Sequence, residues 1–429
     1  MVKRAFLRAN IPFTVNTDIV FSPDFPDTVK EHGWAKCDIS GDMLLKHINT
    51  SFNENAICFS KQLDNINFSI PCGEALSYDF SVTEIHVHCF ETGVGIVSLH
   101  IPYDSDVDDS VIVNTCSILR CSAKHEEAYK GRSILRNGKE TYLSCLAEEE
   151  LSTLFGNSFV LFEHLNENSM RRIDMFSAAL CDNECLSSDS KCCDKLCYRL
   201  ANTYDDRDKD ITLNESDFYR QQEYTRWSFS KRGCAVVANL TGLDITDNFL
   251  KDRWFFSVQS NYIYLYLMVL HQKYAIYSYL NTVAADSERK FVKANQESLI
   301  EFNSKYIFSI VSDEHFLQKV YLRMKNVNNV DEVYSDLLDE LKRLFEYSQL
   351  KSDENNETRN TRLNILSVII SVLCSCSVIF DTLSIFSENV YHLGFDTHKK
   401  LIFTGVFALE LVFFFVCFIF VFIINKKKK

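Results

Sequence analysis

The chain has 429 residues, 46% of them hydrophobic and 24% charged, with 16 cysteines, 12 glycines and 5 prolines. That length exceeds what one hydrophobic core usually organises, and a formal net charge of -13 excludes general nucleic-acid binding, leaving local basic patches as the only places to meet phosphate. Residues 1–15 break their apolar positions with Arg8, Asn10 and Pro12, so no export signal is read there and the cysteines are expected as reduced thiols.

Residues 1–250 mix strand-like and helix-like patterns, which predicts a cytosolic α/β domain. A strand is predicted over 5–15. The clearest signal is a β-hairpin over 82–103: Ile85, Val87 and Cys89 alternate with polar partners, Glu91, Thr92 and Gly93 turn the chain, and Val97, Leu99 and Ile101 resume the alternation. Further strands are predicted over 158–164 and 227–239, with a short helix over 147–155.

From residue 251 to 362 the pattern is helical, with no Pro or Gly before Gly394. Residues 254–285 carry Phe255, Val258, Tyr262, Leu265, Val269, Ile276 and Leu280 near a helical repeat, and Asp252 suits the start of that helix. Gln259, Asn261, His271, Gln272 and Lys273 interrupt its apolar surface, which marks a packed helix rather than a lipid-facing one. Over 329–350, Val330, Tyr334, Leu337, Leu341 and Leu344 recur at four- and three-residue steps. That spacing fits a coiled-coil seam and equally a helix packed on its own domain.

Two apolar runs close the chain. Residues 363–386 contain Asp381 as their one charge, residues 401–425 contain only Glu410, and each is long enough to cross about 30 Å of hydrocarbon. Arg359 and Arg362 precede the first run and lysines fill 426–429, so the positive-inside rule predicts a two-span hairpin over 363–425 in the cell membrane. Both chain ends are then cytoplasmic, and 426–429 form a basic tail. The expected fold is thus an α/β cytosolic domain, a long helical stalk and a C-terminal two-helix transmembrane hairpin.

This order of parts resembles the CorA family of divalent-cation transporters, most closely from 360 to 429. The resemblance implies a homo-oligomer, a pentamer in that family, embedded in the lipid bilayer and conducting a divalent cation such as magnesium under control of its cytosolic domain. It places Asn360, Leu363, Ser367, Ile370, Cys374, Ser377 and Asp381 along a pore. The residues agree to the extent that Asn360, Ser367, Cys374 and Asp381 share one heptad register. The family's Gly-Met-Asn signature is absent; Ser384, Ile385 and Phe386 stand in its place. The layout also resembles CorA-like proteins associated with type III CRISPR systems, which implies an alternative: an antiviral effector that permeabilises or depolarises the membrane when a nucleotide messenger binds.

Several constellations are candidates for chemistry. Glu410 is a second intramembrane acid on this reading, suited to conduction or to a neutral contact with the first span. Arg171 and Arg172, with Arg226, Lys231 and Arg232 further along, offer guanidinium and ammonium groups to a phosphate-bearing ligand such as a small nucleotide, or else pair with neighbours such as Asp174. Cys181, Cys185, Cys192, Cys193 and Cys197 form a dense cluster that suits zinc or free thiols. His86, His88 and His100 share one face of the hairpin, where they bind a metal, sense pH or simply face solvent. No P-loop, dinucleotide fingerprint or hydrolase motif is present, and no enzyme is expected.

Overall fold

The computed structural model describes residues 2–392, apart from 24, 39–40, 72–76, 105, 123–131, 163–172, 182–191, 206–210, 223, 240–247 and 286–288, together with Gly405, Ala408, Val412 and Phe415. It divides into two compact units, residues 1–342 and 343–429. In the first, twelve strands form one sheet: β1 Val2–Val15, β2 Ala35–Cys37, β3 Ala56–Pro71, β4 Ser77–Phe90, β5 Val94–Tyr103, β6 Ile134–Arg136, β7 Lys139–Thr141, β8 Phe159–Leu161, β9 Asp174–Cys181, β10 Phe218–Gln222, β11 Thr225–Ser230 and β12 Gly233–Asn239. The described helices are α1 Thr17–Val20, α2 Phe25–Lys30, α3 Lys46–Asn55, α4 Asp109–Arg120, α5 Leu143–Phe155, α6 Cys192–Asn202, α7 Asn248–Ser257, α8 Ile263–Ala285, α9 Arg289–Tyr306, α10 His315–Val327 and α11 Val330–His392.

Strand order across the sheet is β10-β11-β12-β9-β1-β5-β4-β3-β6-β7, with β2 on β3 and β8 on β1. Every adjacent pair is antiparallel except β12 with β9. Pro12 lacks an N–H and falls in the gap between the β9 and β8 ladders on β1. The 91–93 turn forms as the sequence predicts, with Gly93 at φ 77°, a left-handed value that a side chain disfavours.

The pleat sorts the side chains onto two unlike faces. Leu7, Ala9 and Ile11 of β1, Ile85 and Val87 of β4, and Val97 and Leu99 of β5 bury an aliphatic face that shares one core with Ile112 and Leu119 of α4, Leu146 and Leu151 of α5, and Leu196 and Leu200 of α6. Their even-numbered neighbours Phe6, Arg8, Asn10, Glu84, His86, His88, Ser98 and His100 lie on the other face, which meets α7 and α8 through ring contacts of Phe6 with Phe255, His88 with Tyr264 and Phe176 with Tyr266. Helix α8 is apolar nearly all round, with Leu265, Tyr266, Leu267, Met268, Val269 and Leu270 all buried, as a helix covered on several sides must be. The histidine-bearing face is therefore internal, and the expectation that it meets solvent is corrected. Across β4 and β5, His100 pairs with Glu84, and His86 with Ser98.

The transmembrane hairpin is corrected too. Among the described residues no helix is long and apolar enough to cross a membrane. Residues 363–386 belong to the single helix α11, which begins at Val330, passes through the polar residues 351–362 and continues to His392, past the predicted end of the first span. The physical reason is that an apolar run of about 20 residues meets the length requirement for a span without establishing one. The described part of this run carries Asn364, Ser367 and Ser371, and Ser371 Oγ donates to the Ser367 carbonyl at 2.9 Å. The second run, 401–425, lies outside the described residues except for Gly405, Ala408, Val412 and Phe415. The membrane localisation, the cytoplasmic placement of the termini and the channel architecture rested on those spans and are withdrawn with them.

The 329–344 seam resolves to its second reading: Val330, Leu337 and Leu341 are buried within the first unit. Cys37 and Cys58, expected as thiols, are joined as a disulfide between β2 and β3.

Candidate anion-binding cavity

A cavity of about 240 Å³ opens at the end of the sheet where β9 begins, lined by Arg120, Ile173, Asp174, Lys231, Lys273, Tyr274, Tyr277, Asn328, Asn329 and Val333. Five parts of the chain converge there, the start of β9 among them. Arg120 is the last residue of α4, a helix capped at its start by the Asp108 side chain on Ser110 N, and the Arg120 carbonyl accepts the Ile173 N–H at 3.0 Å, tying the helix end to the approach of β9. Lys231 projects from the tight β11–β12 turn, which Ser230 Oγ holds by accepting the Arg232 and Gly233 N–H groups at 2.9 and 3.2 Å. Lys273, Tyr274 and Tyr277 come from α8. Asn328 and Asn329 form the corner between α10 and α11; Asn329 adopts φ 53°, a left-handed turn that asparagine tolerates, and its carbonyl accepts the Val333 N–H that starts α11.

Three cations and one carboxylate thus line the cavity. Asp174 Oδ1 lies 3.2 Å from Lys273 Nζ, and its second oxygen accepts from the Tyr274 hydroxyl. Burial, reinforced by the Asp174 charge, pushes the Tyr274 hydroxyl well up, so it stays a donor throughout the physiological range. Lys273 also lies over the Tyr274 ring at 5.0 Å. Arg120 is 8% exposed and Asp174 5%, whereas Lys231 is exposed at the rim. Local positive charge with low-dielectric walls attracts anions even in a chain of net charge -13, because the field within a cleft is set by its nearest groups.

Arg171 and Arg172 lie outside the described residues, but Ile173 and Asp174, which follow them, line the cavity. Of their companions only Lys231 reaches it. Arg226 Nε is 3.3 Å from Asp194 on α6, and Arg232 lies over the Tyr204 ring while donating to the Asn202 carbonyl. Sequence reasoning missed Arg120, and it used Lys273 only as a sign that its helix is not lipid-facing. A cap signature, Asp108 two residues before Ser110, marked the helix that delivers Arg120 and was available in the sequence.

The remaining candidates do not converge. Cys181, Cys193 and Cys197 are buried on β9 and α6, Cys197 donating weakly to the Ala235 and Arg226 carbonyls, and Cys192 is half-buried; Cys185 lies outside the described residues. Among the described residues this cluster brings no three potential ligands together. On α11, Asn360, Leu363, Ser367 and Ile370 are exposed, Cys374, Ser377 and Asp381 follow on the same helix, and Glu410 lies outside the described residues. No protein-family model, no curated protein and no solved structure matches the chain.

Proposed function

We propose that the first compact unit is a receptor for a small phosphate-bearing ligand, with a nucleotide messenger as the ligand class. The observation that supports this is the cavity lined by Arg120, Lys231 and Lys273 together with a single carboxylate, Asp174. Its volume, about 240 Å³, lies just under the 300–1,000 Å³ of sites that enclose a drug-sized molecule, which suits a phosphate monoester seated inside with the rest of the ligand at the mouth beside Tyr277. Guanidinium and ammonium groups meet phosphate oxygens through charge-assisted hydrogen bonds, and the Tyr274 hydroxyl, by donating to Asp174, holds the one carboxylate in the wall in place. Asn329 and Val333 open α11, so occupancy acts on the first turn of that helix, and the helix is the output. The cation-channel reading depended on the two spans and is not carried forward.

The test is thermal unfolding of the whole protein with inorganic phosphate and with adenosine and guanosine mono- and diphosphates. A ligand at about 100 times its Kd stabilises by about 2.7 kcal/mol. Lys231→Glu, at an exposed turn, removes that stabilisation while leaving the ligand-free protein within about 0.5 kcal/mol of wild type. No shift with any phosphate compound, or an equal shift in Lys231→Glu, sinks the reading.

A further inference from the structure

A second cluster lies at the other edge of the same internal face. Cys37 of β2 pairs with Cys58 of β3, and Cys58 pairs with His88 of β4. His86, two residues back along β4, shares their face. One ring nitrogen of His86 and the sulfurs of Cys37 and Cys58 all lie within 4.8 Å of one another, and among the described residues no other three His, Cys, Asp or Glu side chains do so. Cys58 is 1% exposed, and His86 Nε2 is buried with the Glu84 carboxylate 3.1 Å away. A carboxylate beside an imidazole is the usual companion of a metal-bound histidine, because it orients the ring and strengthens it as a ligand.

We propose that, once their disulfide is reduced, Cys37, Cys58 and His86 form a binding site for zinc or a similarly thiophilic divalent cation, with water as the fourth ligand. The chemistry balances. A dithiol reductant gives two electrons and two protons to the Cys37–Cys58 bond, leaving two thiols here and a disulfide on the reductant. The divalent cation then displaces both thiol protons to solvent, forms two metal–sulfur bonds and accepts the lone pair of neutral His86. Two thiolates cancel the charge of the ion, so the loaded site is neutral and compatible with the Arg8 guanidinium on the same face. Two sulfurs and one imidazole nitrogen favour zinc over magnesium or calcium, which prefer oxygen donors. The disulfide, as the structure has it, withholds both sulfurs, so the site opens and closes with the thiol redox state. This inference is independent of the anion cavity.

Cobalt(II) titration of the full-length protein reads the site directly. Reduced wild type, freed of reductant under anaerobic conditions, should show thiolate-to-cobalt charge transfer and tetrahedral d–d bands saturating with one equivalent, displaced by zinc. Cys37→Ser and Cys58→Ser should each abolish the signal assigned to this site, and His86→Gln should weaken binding at least tenfold, while Cys192→Ser/Cys193→Ser retains it. The oxidised wild type should bind no cobalt here and regain it after dithiol treatment. That last comparison uses an unaltered sequence, so it decides the matter even where a serine variant fails to fold. Equal cobalt binding by oxidised and reduced wild type overturns the proposal, as does an undiminished signal in folded Cys37→Ser and Cys58→Ser.

Discussion

The Tyr274 hydroxyl on α8 donates to the Asp174 carboxylate at the head of β9, whose other oxygen meets the Lys273 ammonium at 3.2 Å. Helix and sheet are therefore joined by a buried charged pair reinforced by a phenol. Removing one member of such a pair leaves the rest desolvated and unpaid in hydrogen bonds, which typically costs about 3–5 kcal/mol. Asp174→Ala should lower stability by that amount in a urea titration, whereas Asp174→Asn/Lys273→Met should lose clearly less. Equal losses for the two would mean the pair carries no special weight.

Acid sensitivity follows from the buried imidazoles. Burial lowers His271 and His100 from an ordinary 6.5 to about 3, and lowers His88 well below its ordinary value. Each is neutral in the folded protein and takes up a proton on unfolding, so its stabilising effect is fully present above pH 6.5 and is lost as pH falls toward 3. Each contributes a slope of up to about 1.4 kcal/mol per pH unit within that window. His271 stacks on Phe90 with ring centroids 3.8 Å apart and touches Thr92 Oγ1 through Nε2 at 2.9 Å. Replacing His271 by Phe should keep the stacking and flatten the stability profile between pH 6.5 and 4 by about one proton; an unchanged slope counts against the assignment.

Close backbone approach explains Gly233. A Cβ there would meet the Met175 carbonyl oxygen at 2.6 Å, across the one parallel pairing among the described strands, and the atoms it meets are backbone atoms that cannot swing aside as a side chain would. Gly233→Ala is expected to cost about 1–3 kcal/mol, measured by guanidinium unfolding. A neutral result would show that β9 and β12 separate easily.

Leu337 and Leu341 bear on the seam. Both are buried within the first unit, so Leu337→Ala should destabilise that unit by about 2–5 kcal/mol. The loss should not depend on protein concentration, as loss of an intersubunit seam would. A midpoint shift that grows on dilution contradicts this.

The sequence made the 82–103 hairpin legible because period-two alternation and a Glu-Thr-Gly turn agree, and β4 and β5 lie there. The same alternation put the histidines on one face but left open whether that face meets solvent, since a strand pattern separates two faces but cannot say which of them a later helix covers. The 16-residue β3 went unseen because a register shift between Gln62 and Ile66, with Asn65 at φ 39°, breaks its period. Hydropathy identified 363–386 as helical and apolar but could not decide what surrounds it. At the cavity, a run of adjacent arginines drew attention to 171–172, whereas Arg120 and Lys273 are brought to the same place only by tertiary packing.

The position of β1 bears on how the sheet is assembled during synthesis. It precedes every other strand in the chain yet lies near the middle of the sheet, flanked by β5 and β9. Its β5 edge can close once residue 103 has left the ribosome, but on its other edge β8 pairs only residues 13–15, and residues 2–10 wait for 174–181. At 5–20 residues per second that interval is roughly 4–16 s. Throughout it, the nascent chain displays a long unpaired strand edge of the kind that recruits other chains, which makes this period the one in which a holding chaperone would matter most.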